Sequence, residues 1–157
     1  WNKKKERQEV KIGLKEVARM LDLPELRITE LLEHNYHVVH PEMRLREFVE
    51  LLKRNEYHFF SVVDSKTGKY LGLIHFDDIR SYLFDTNLYD SLLVEELMDP
   101  TVPTVSLDDE LPEVLEIFEQ GHDSTLPVVH DGRLLGLISK ATILDHSRRE
   151  LIVEEEV

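Results

Sequence analysis

The chain has 157 residues, 41% of them hydrophobic, enough for one core of fair size or two small ones fused, but not for a large catalytic domain besides. A net charge of −13 disfavours a phosphodiester partner, so no nucleic acid is expected, and the lack of cysteine excludes a disulfide framework, a thiolate metal site and a cysteine nucleophile. No apolar run approaches the roughly 18 residues that span a bilayer, so a soluble body in a reducing compartment, by default the cytoplasm, is expected.

Residues 1–27 hold eight Lys and Arg against five Asp and Glu, so the other 130 residues carry −16. No hydrophobic stretch follows WNKKKER, which is therefore no signal peptide, and Trp1 in place of an initiator methionine points to a chain cut from a longer one. A basic leader ahead of an acidic body fits the cytoplasmic flank of a membrane helix; a solvated charge run fits as well. Leu14, Val17, Ala18 and Leu21 have helical spacing that Pro24 ends, which predicts a leader helix.

Beyond the leader the chain is a duplication. Ile28–Asp64 aligns on Val94–His130 at an offset of 66, and Gly68–Arg80 aligns on Gly132–Leu144 at an offset of 64. Two such supersecondary units can pack on each other and place a site in their seam. Each copy reads helix, strand, helix, strand, strand, helix. In the first, Leu45, Phe48, Val49 and Leu52 form a helical stripe, HFFSVV and YLGLIH read as strands around a loop at Ser65–Lys69, and FDDIRSYLF (76–84) reads as the closing helix. In the second, VEELM (94–98) is a short helix closed by Asp99-Pro100, and VPTV is an extended piece made irregular by Pro103. The next helix has Pro112 in its first turn, a stripe of Leu111, Val114, Leu115 and Phe118, and Gly121 at its end. TLPVV and RLLGLIS then join through Asp131-Gly132, a tight-hairpin signal, and a last helix starts near Lys140. Gly72 and Gly136 sit at one place in the last strand of both copies, which indicates a close approach required by the fold.

Two βαββα units, each with a paired-valine strand (FSVV, LPVV), a turn and a Leu-Gly-Leu-Ile strand leading into a helix, resemble tandem CBS domains, the pair called a Bateman module. The resemblance covers residues 28 to about 147. It implies an α/β (α+β) fold of two pseudo-symmetric repeats packed through their sheets, at 28–84 and 94–148, with a helical leader at 1–27, a connector at 85–93 and an acidic tail at 149–157. A narrower likeness, carried by LGLIHFDDIRSYLFDTNLYDSLLVEELM (71–98) and ISKATILDHSRRELIVEE (138–155), is to the cytoplasmic C-terminal region of bacterial ClC-type chloride channels and transporters. CBS pairs also accompany magnesium transporters, kinases and dehydrogenases, or stand alone as sensors.

The resemblance implies regulation: such pairs sense adenine nucleotides (AMP, ADP, ATP) or adenosine in the cleft between repeats, with no cofactor required. The family holds the ribose with an Asp at the start of the closing helix, in the pattern Gly-hydrophobe-hydrophobe-Thr/Ser-x-x-Asp, where a carboxylate can accept from both ribose hydroxyls. Here each motif is half complete. GLIHFDD keeps Asp78 but has His75 for Thr/Ser, while GLISKAT keeps Ser139 but has Thr142 for Asp. Tyr57, where ClC relatives place an aromatic against adenine, and Tyr36, on the corresponding first-strand position, go with Ser139 and Thr142; Val102, Asp123 and Ser124 go with Asp78. Asp77 beside Asp78 opposes a triphosphate, so adenosine, AMP or ADP is expected there ahead of ATP, which fits the Tyr57 site; His75 when protonated and Lys140 are the local cations. Asp77 and Asp78 serve equally well as helix caps. The tyrosines fit packing roles as readily.

His34, His37 and His40 cross a change of secondary structure, which does not favour convergence on a metal; a pH-responsive group and scattered surface histidines are the other readings. No GxSxG elbow, Walker loop or HExxH is present, and Asp108-Asp109 beside a helix start reads as capping, so an enzyme is not expected. The expected partners are a second copy of the chain, a membrane transport domain of the same parent and an adenine nucleotide; the alternative is a stand-alone sensor or dimerisation scaffold, or the regulatory domain of another transporter, with no nucleotide bound.

Overall fold

A computed structural model describes residues 27–146 and 148; the leader helix, most of the basic leader and the acidic tail lie outside the described residues. Elements run α1 (Ile28–Leu31), β1 (Tyr36–Val39), α2 (Leu45–Leu52), β2 (Phe59–Val63), β3 (Tyr70–His75), α3 (Phe76–Ile79), 3-10 turns at Arg80–Phe84 and Thr86–Leu88, α4 (Val94–Leu97), α5 (Leu111–Gln120), β4 (Thr125–His130), β5 (Arg133–Ser139) and α6 (140–146). The fold is mixed α/β.

The duplication is visible in the strand register. β1 pairs parallel with β2, Val39 opposite Val62, and β2 pairs antiparallel with β3. In the second copy the parallel pairing shrinks to one bridge, Val105 opposite Val128, the same two positions moved by 66. Pro103 lacks the N–H that a longer ladder needs, which accounts for the lost strand. The second hairpin turns through Asp131 (φ 50°) and Gly132 (φ 77°), both in the left-handed region as the sequence predicts. In the first hairpin the Asp64 carboxylate instead accepts from the N–H groups of Lys66 (2.8 Å) and Thr67 (2.9 Å), which hold its carboxyl below the ordinary range.

The chain divides into two compact units that are not the two repeats. The first unit is His34–Val102 with Val129–Leu135; the second contains the described residues up to Glu33, then Pro103–Val128 and the chain from Gly136 onward. The core of the first unit is Val39, Leu45, Phe48, Phe60, Val62, Ile74, Ile79 and Val94, so α4 of the second copy completes it. Phe48 meets Phe60 edge-on at 4.9 Å, an arrangement worth about 0.5–1.5 kcal/mol beyond area burial. In the second unit the matching positions Val105, Leu111, Val114, Leu126, Val128, Ile138 and Ile143 are buried, and Ile28 from α1 of the first copy is the counterpart of Val94. Each copy has therefore given its first helix to the other's core.

Two antiparallel bridges fix the exchange. Leu73 and Asp99 bond each other's backbone in the first unit, and Glu33 and Leu137 do so in the second. These bridges explain the paired strand glycines. A Cβ at Gly72 would stand 2.9 Å from Met98 Sδ and 3.1 Å from the Asp99 carbonyl; at Gly136 it would stand 3.1 Å from the Glu33 carbonyl and 3.2 Å from Leu32 Cδ2. The connector is also held, since Leu45 N–H donates to Leu92 O (2.8 Å), Arg46 N–H to Tyr89 O (2.9 Å) and the Arg46 guanidinium bidentately to Asp90. One sequence expectation is amended. The closing helix of the first copy tightens to 3-10 geometry after Ile79, beyond which only Leu83 is more than marginally covered and Phe84 is 83% exposed, so no buried stripe sustains an α-helix. Gly121 ends α5 as the sequence indicates, in an extended conformation (φ −103°).

Gly136→Ala is expected to cost about 1–3 kcal/mol, the range for overpacking against groups that cannot retreat. Urea unfolding of the variant checks this, and an unchanged midpoint would remove the close approach as the reason for glycine.

Candidate functional site

The two half-motifs occupy matched junctions where a strand ends and a helix starts. In the first unit the Phe76 N–H donates to His58 O (2.8 Å), and in the second the Lys140 N–H donates to Ser124 O (3.0 Å), the same bond in both copies. Around this shared backbone the side chains differ.

In the first junction His75 is the N-cap of α3 and makes no side-chain cap bond, so Asp77 and Asp78 are the second and third helical residues and neither caps the helix. The reason is a helix that begins two residues earlier than a cap at Asp77 would require. The His75 ring lies flat on Phe59 (4.6 Å, 8°), with Nε2 3.5 Å from Asp77 Oδ2. Asp77 also accepts from Arg80 Nη2 at 2.6 Å, so the charge expected to oppose a phosphate is largely matched at short range. Asp78 is exposed and makes no hydrogen bond or ion pair among the described residues, free to accept from a ligand. Val102, half-buried, belongs to the same unit.

In the second junction the Ser139 Oγ accepts from the Thr142 N–H (3.1 Å), a side-chain N-cap that the first junction lacks. Its hydroxyl lies 2.8 Å from Thr142 Oγ1 and 3.2 Å from Glu33 Oε1, and the Thr142 hydroxyl donates to the same Glu33 oxygen. Asp123 and Ser124 are exposed at the start of β4, beside this junction through the Lys140–Ser124 bond. Sequence reading missed Glu33. A signal for it existed: Glu33 and Asp99 are acids at one repeat position, 66 apart, each just after a short helix. Asp99, one methylene shorter, turns onto its own loop and accepts from Thr101 N–H (2.9 Å) and Oγ1 (2.5 Å).

The comparisons with known proteins can be set against this geometry. The family model of the CBS domain matches twice, at residues 28–85 and 94–149. The chain belongs to the CBS domain family. No curated protein matches it. Among solved structures, a CBS domain protein from Streptococcus pneumoniae TIGR4 superposes with a TM-score of 0.67 at 24% identity, over 90% of this chain and 97% of that one. A CBS domain-containing protein from Bacillus anthracis gives 0.66 at 20% identity, over 79% and 94%. The cytosolic domain of the Mg2+ channel MgtE, solved in complex with ATP, gives 0.63 at 27% identity over 76% of this chain and 48% of that chain. CBS pairs are in general regulatory, non-catalytic modules.

Tyr36 and Tyr57 of this CBS pair lie in the first unit. Tyr36, opposite Phe59 in the sheet, is half-buried, and burial raises its phenol above the ordinary range. Its ring is tilted 6.4 Å from His34; Tyr57 is 39% exposed and tilted 6.0 Å from His37. The histidines are engaged singly. His34 Nε2 lies 3.1 Å from Leu135 O and His40 Nδ1 2.9 Å from Val63 O, and no group of three metal-ligating side chains converges among the described residues. No described helix is long and apolar enough to cross a membrane.

Tyr70, beside Asp99, has a buried hydroxyl with no hydrogen-bond partner among the described residues. Burial first, then the Asp99 carboxylate, raises this phenol above its ordinary value of 10.0. A raised phenol ionises first in the unfolded chain, so its contribution is intact below pH of about 10 and is lost as pH rises further. Tyr70→Phe is expected to leave stability at pH 7 unchanged or higher, since an orphaned buried hydroxyl costs about 1–3 kcal/mol. It should also lessen the alkaline loss above pH of about 10 in thermal melts; marked destabilisation at pH 7 would show that the hydroxyl has a partner.

Proposed function

We propose that this CBS pair is a regulatory module that binds an adenine nucleotide or adenosine and, as a homodimer, acts on a membrane transport domain of the same parent chain from its cytoplasmic side. The observation that carries the reading is Asp78: an exposed carboxylate, unpartnered among the described residues, on the first turn of α3 at the motif position where the family holds ribose. A carboxylate there can accept from both hydroxyls of a cis-diol. With His75 stacked on Phe59 beside it, the junction also offers a cation when that ring is protonated.

The likeness to the cytosolic domain of an Mg2+ channel solved with ATP supports a transport-linked sensor. The two stretches at 71–98 and 138–155 support a ClC-type chloride channel or transporter as the parent. Adenosine, AMP or ADP is favoured over ATP at Asp78, because the acidic body offers a triphosphate few cations and Arg80 is engaged by Asp77. The proposed site residues are Asp78, His75, Val102, Tyr36 and Tyr57 in the first unit and Asp123, Ser124, Ser139 and Thr142 in the second. A second reading, a stand-alone sensor or scaffold, is favoured by the S. pneumoniae protein, 97% of whose chain is covered.

Ligand at 100 times its dissociation constant should raise stability by about 2.7 kcal/mol. Thermal melts with adenosine, AMP, ADP and ATP should show a shift with at least one of them, reduced by Asp78→Ala. Absence of any shift leaves the scaffold reading; a full shift retained in Asp78→Ala removes Asp78 as the ribose acid.

A further inference from the structure

The second junction holds a carboxylate that its sequence motif lacks. Thr142 stands where the first copy has Asp78, and Glu33, carried in on the exchanged segment after α1, places its Oε1 against the hydroxyls of Thr142 and Ser139. That leaves Oε2, on a half-buried side chain, with no hydrogen bond among the described residues. An ionised carboxylate has about four acceptor positions; two are used to hold this one in place and those on the other oxygen are open. Each unit thus presents one carboxylate at equivalent junctions, Asp78 from its own helix in the first and Glu33 from the other copy in the second.

Side-chain length explains why the roles differ between copies. Asp99, the counterpart of Glu33, is bound to Thr101 in its own loop, and a carboxylate reaching toward Asp78 would meet a like charge. Thr142 removes that repulsion and supplies a donor, and the longer Glu33 reaches it.

We propose that Glu33 is the ribose-holding acid of the second junction, replacing the Asp that Thr142 displaces, so that this junction recognises a nucleoside with a free cis-diol. The assignment rests on the adenine-ligand reading above. Glu33→Gln is the informative variant: its oxygen can still accept from Thr142 and Ser139, while its amide nitrogen puts a donor where Oε2 accepts.

Calorimetric titration of adenosine and 2′-deoxyadenosine into the wild type, Asp78→Ala and the Asp78→Ala/Glu33→Gln double variant tests it. Asp78→Ala should still bind adenosine and prefer it over the deoxy compound by about tenfold, the effect of one hydrogen bond to a charged group. The double variant should lose that preference through weaker adenosine binding, with its ligand-free melting temperature equal to that of Asp78→Ala. An unchanged preference in the double variant, or loss of all binding in Asp78→Ala, overturns the role of Glu33 and leaves Asp78 standing. A lowered ligand-free melting temperature with unchanged preference makes Glu33 a structural latch and overturns it too. If the wild type binds neither compound, the underlying reading fails with it.

Discussion

Backbone pairing between Leu73 and Asp99, and between Glu33 and Leu137, is the constraint on which the rest of the structure depends. Each bridge joins the last strand of one copy to the segment just after the first helix of the other. A side chain at Gly72 or Gly136 would force the pairing apart, because the incoming carbonyls lie 3.1 Å from where a Cβ would be. Once the segments are paired, α4 and α1 are delivered to the opposite cores, where Val94 and Ile28 are buried.

The exchange also decides the chemistry at the junctions. The residue that forms each bridge is an acid, and its side chain lies within reach of the neighbouring loop or helix start. In the first unit Asp99 stays on its own turn and Asp78 is left open; in the second Glu33 crosses to Ser139 and Thr142. A small difference, one methylene and one Asp-to-Thr change, turns a single duplicated scaffold into two unlike junctions. The close ion pair between Asp77 and Arg80 sits on the surface, where screening limits its effect on stability.

Much of this was legible from residue patterns. Constant offsets placed Val39 on Val105 and Val62 on Val128, and the structure pairs both sets in parallel. Helical spacing identified Leu111, Val114, Leu115 and Phe118, all buried on α5. Two features were not legible, for a common reason. Periodicity tells that Val94 and Ile28 are buried but not against which copy, because both copies offer equivalent surfaces. The Glu33 contact spans 106 and 109 residues of sequence, and no local pattern encodes a partner that distant. The cap readings at Asp77 and Asp78 failed differently: α3 starts at Phe76, so its cap position is His75, two and three residues ahead of them.

As a CBS pair the chain is built so that each compact unit depends on residues from both copies. Native-state hydrogen exchange at the bridge amides tests that dependence most directly. If the exchanged segments are integral to the cores, Glu33, Leu137, Leu73 and Asp99 will exchange with the same opening free energy as the core-strand amides of Phe60, Val62 and Val128. Exchange of Glu33 and Asp99 at nearly unprotected rates, with the strands still protected, would contradict the exchange as the organising feature of the fold.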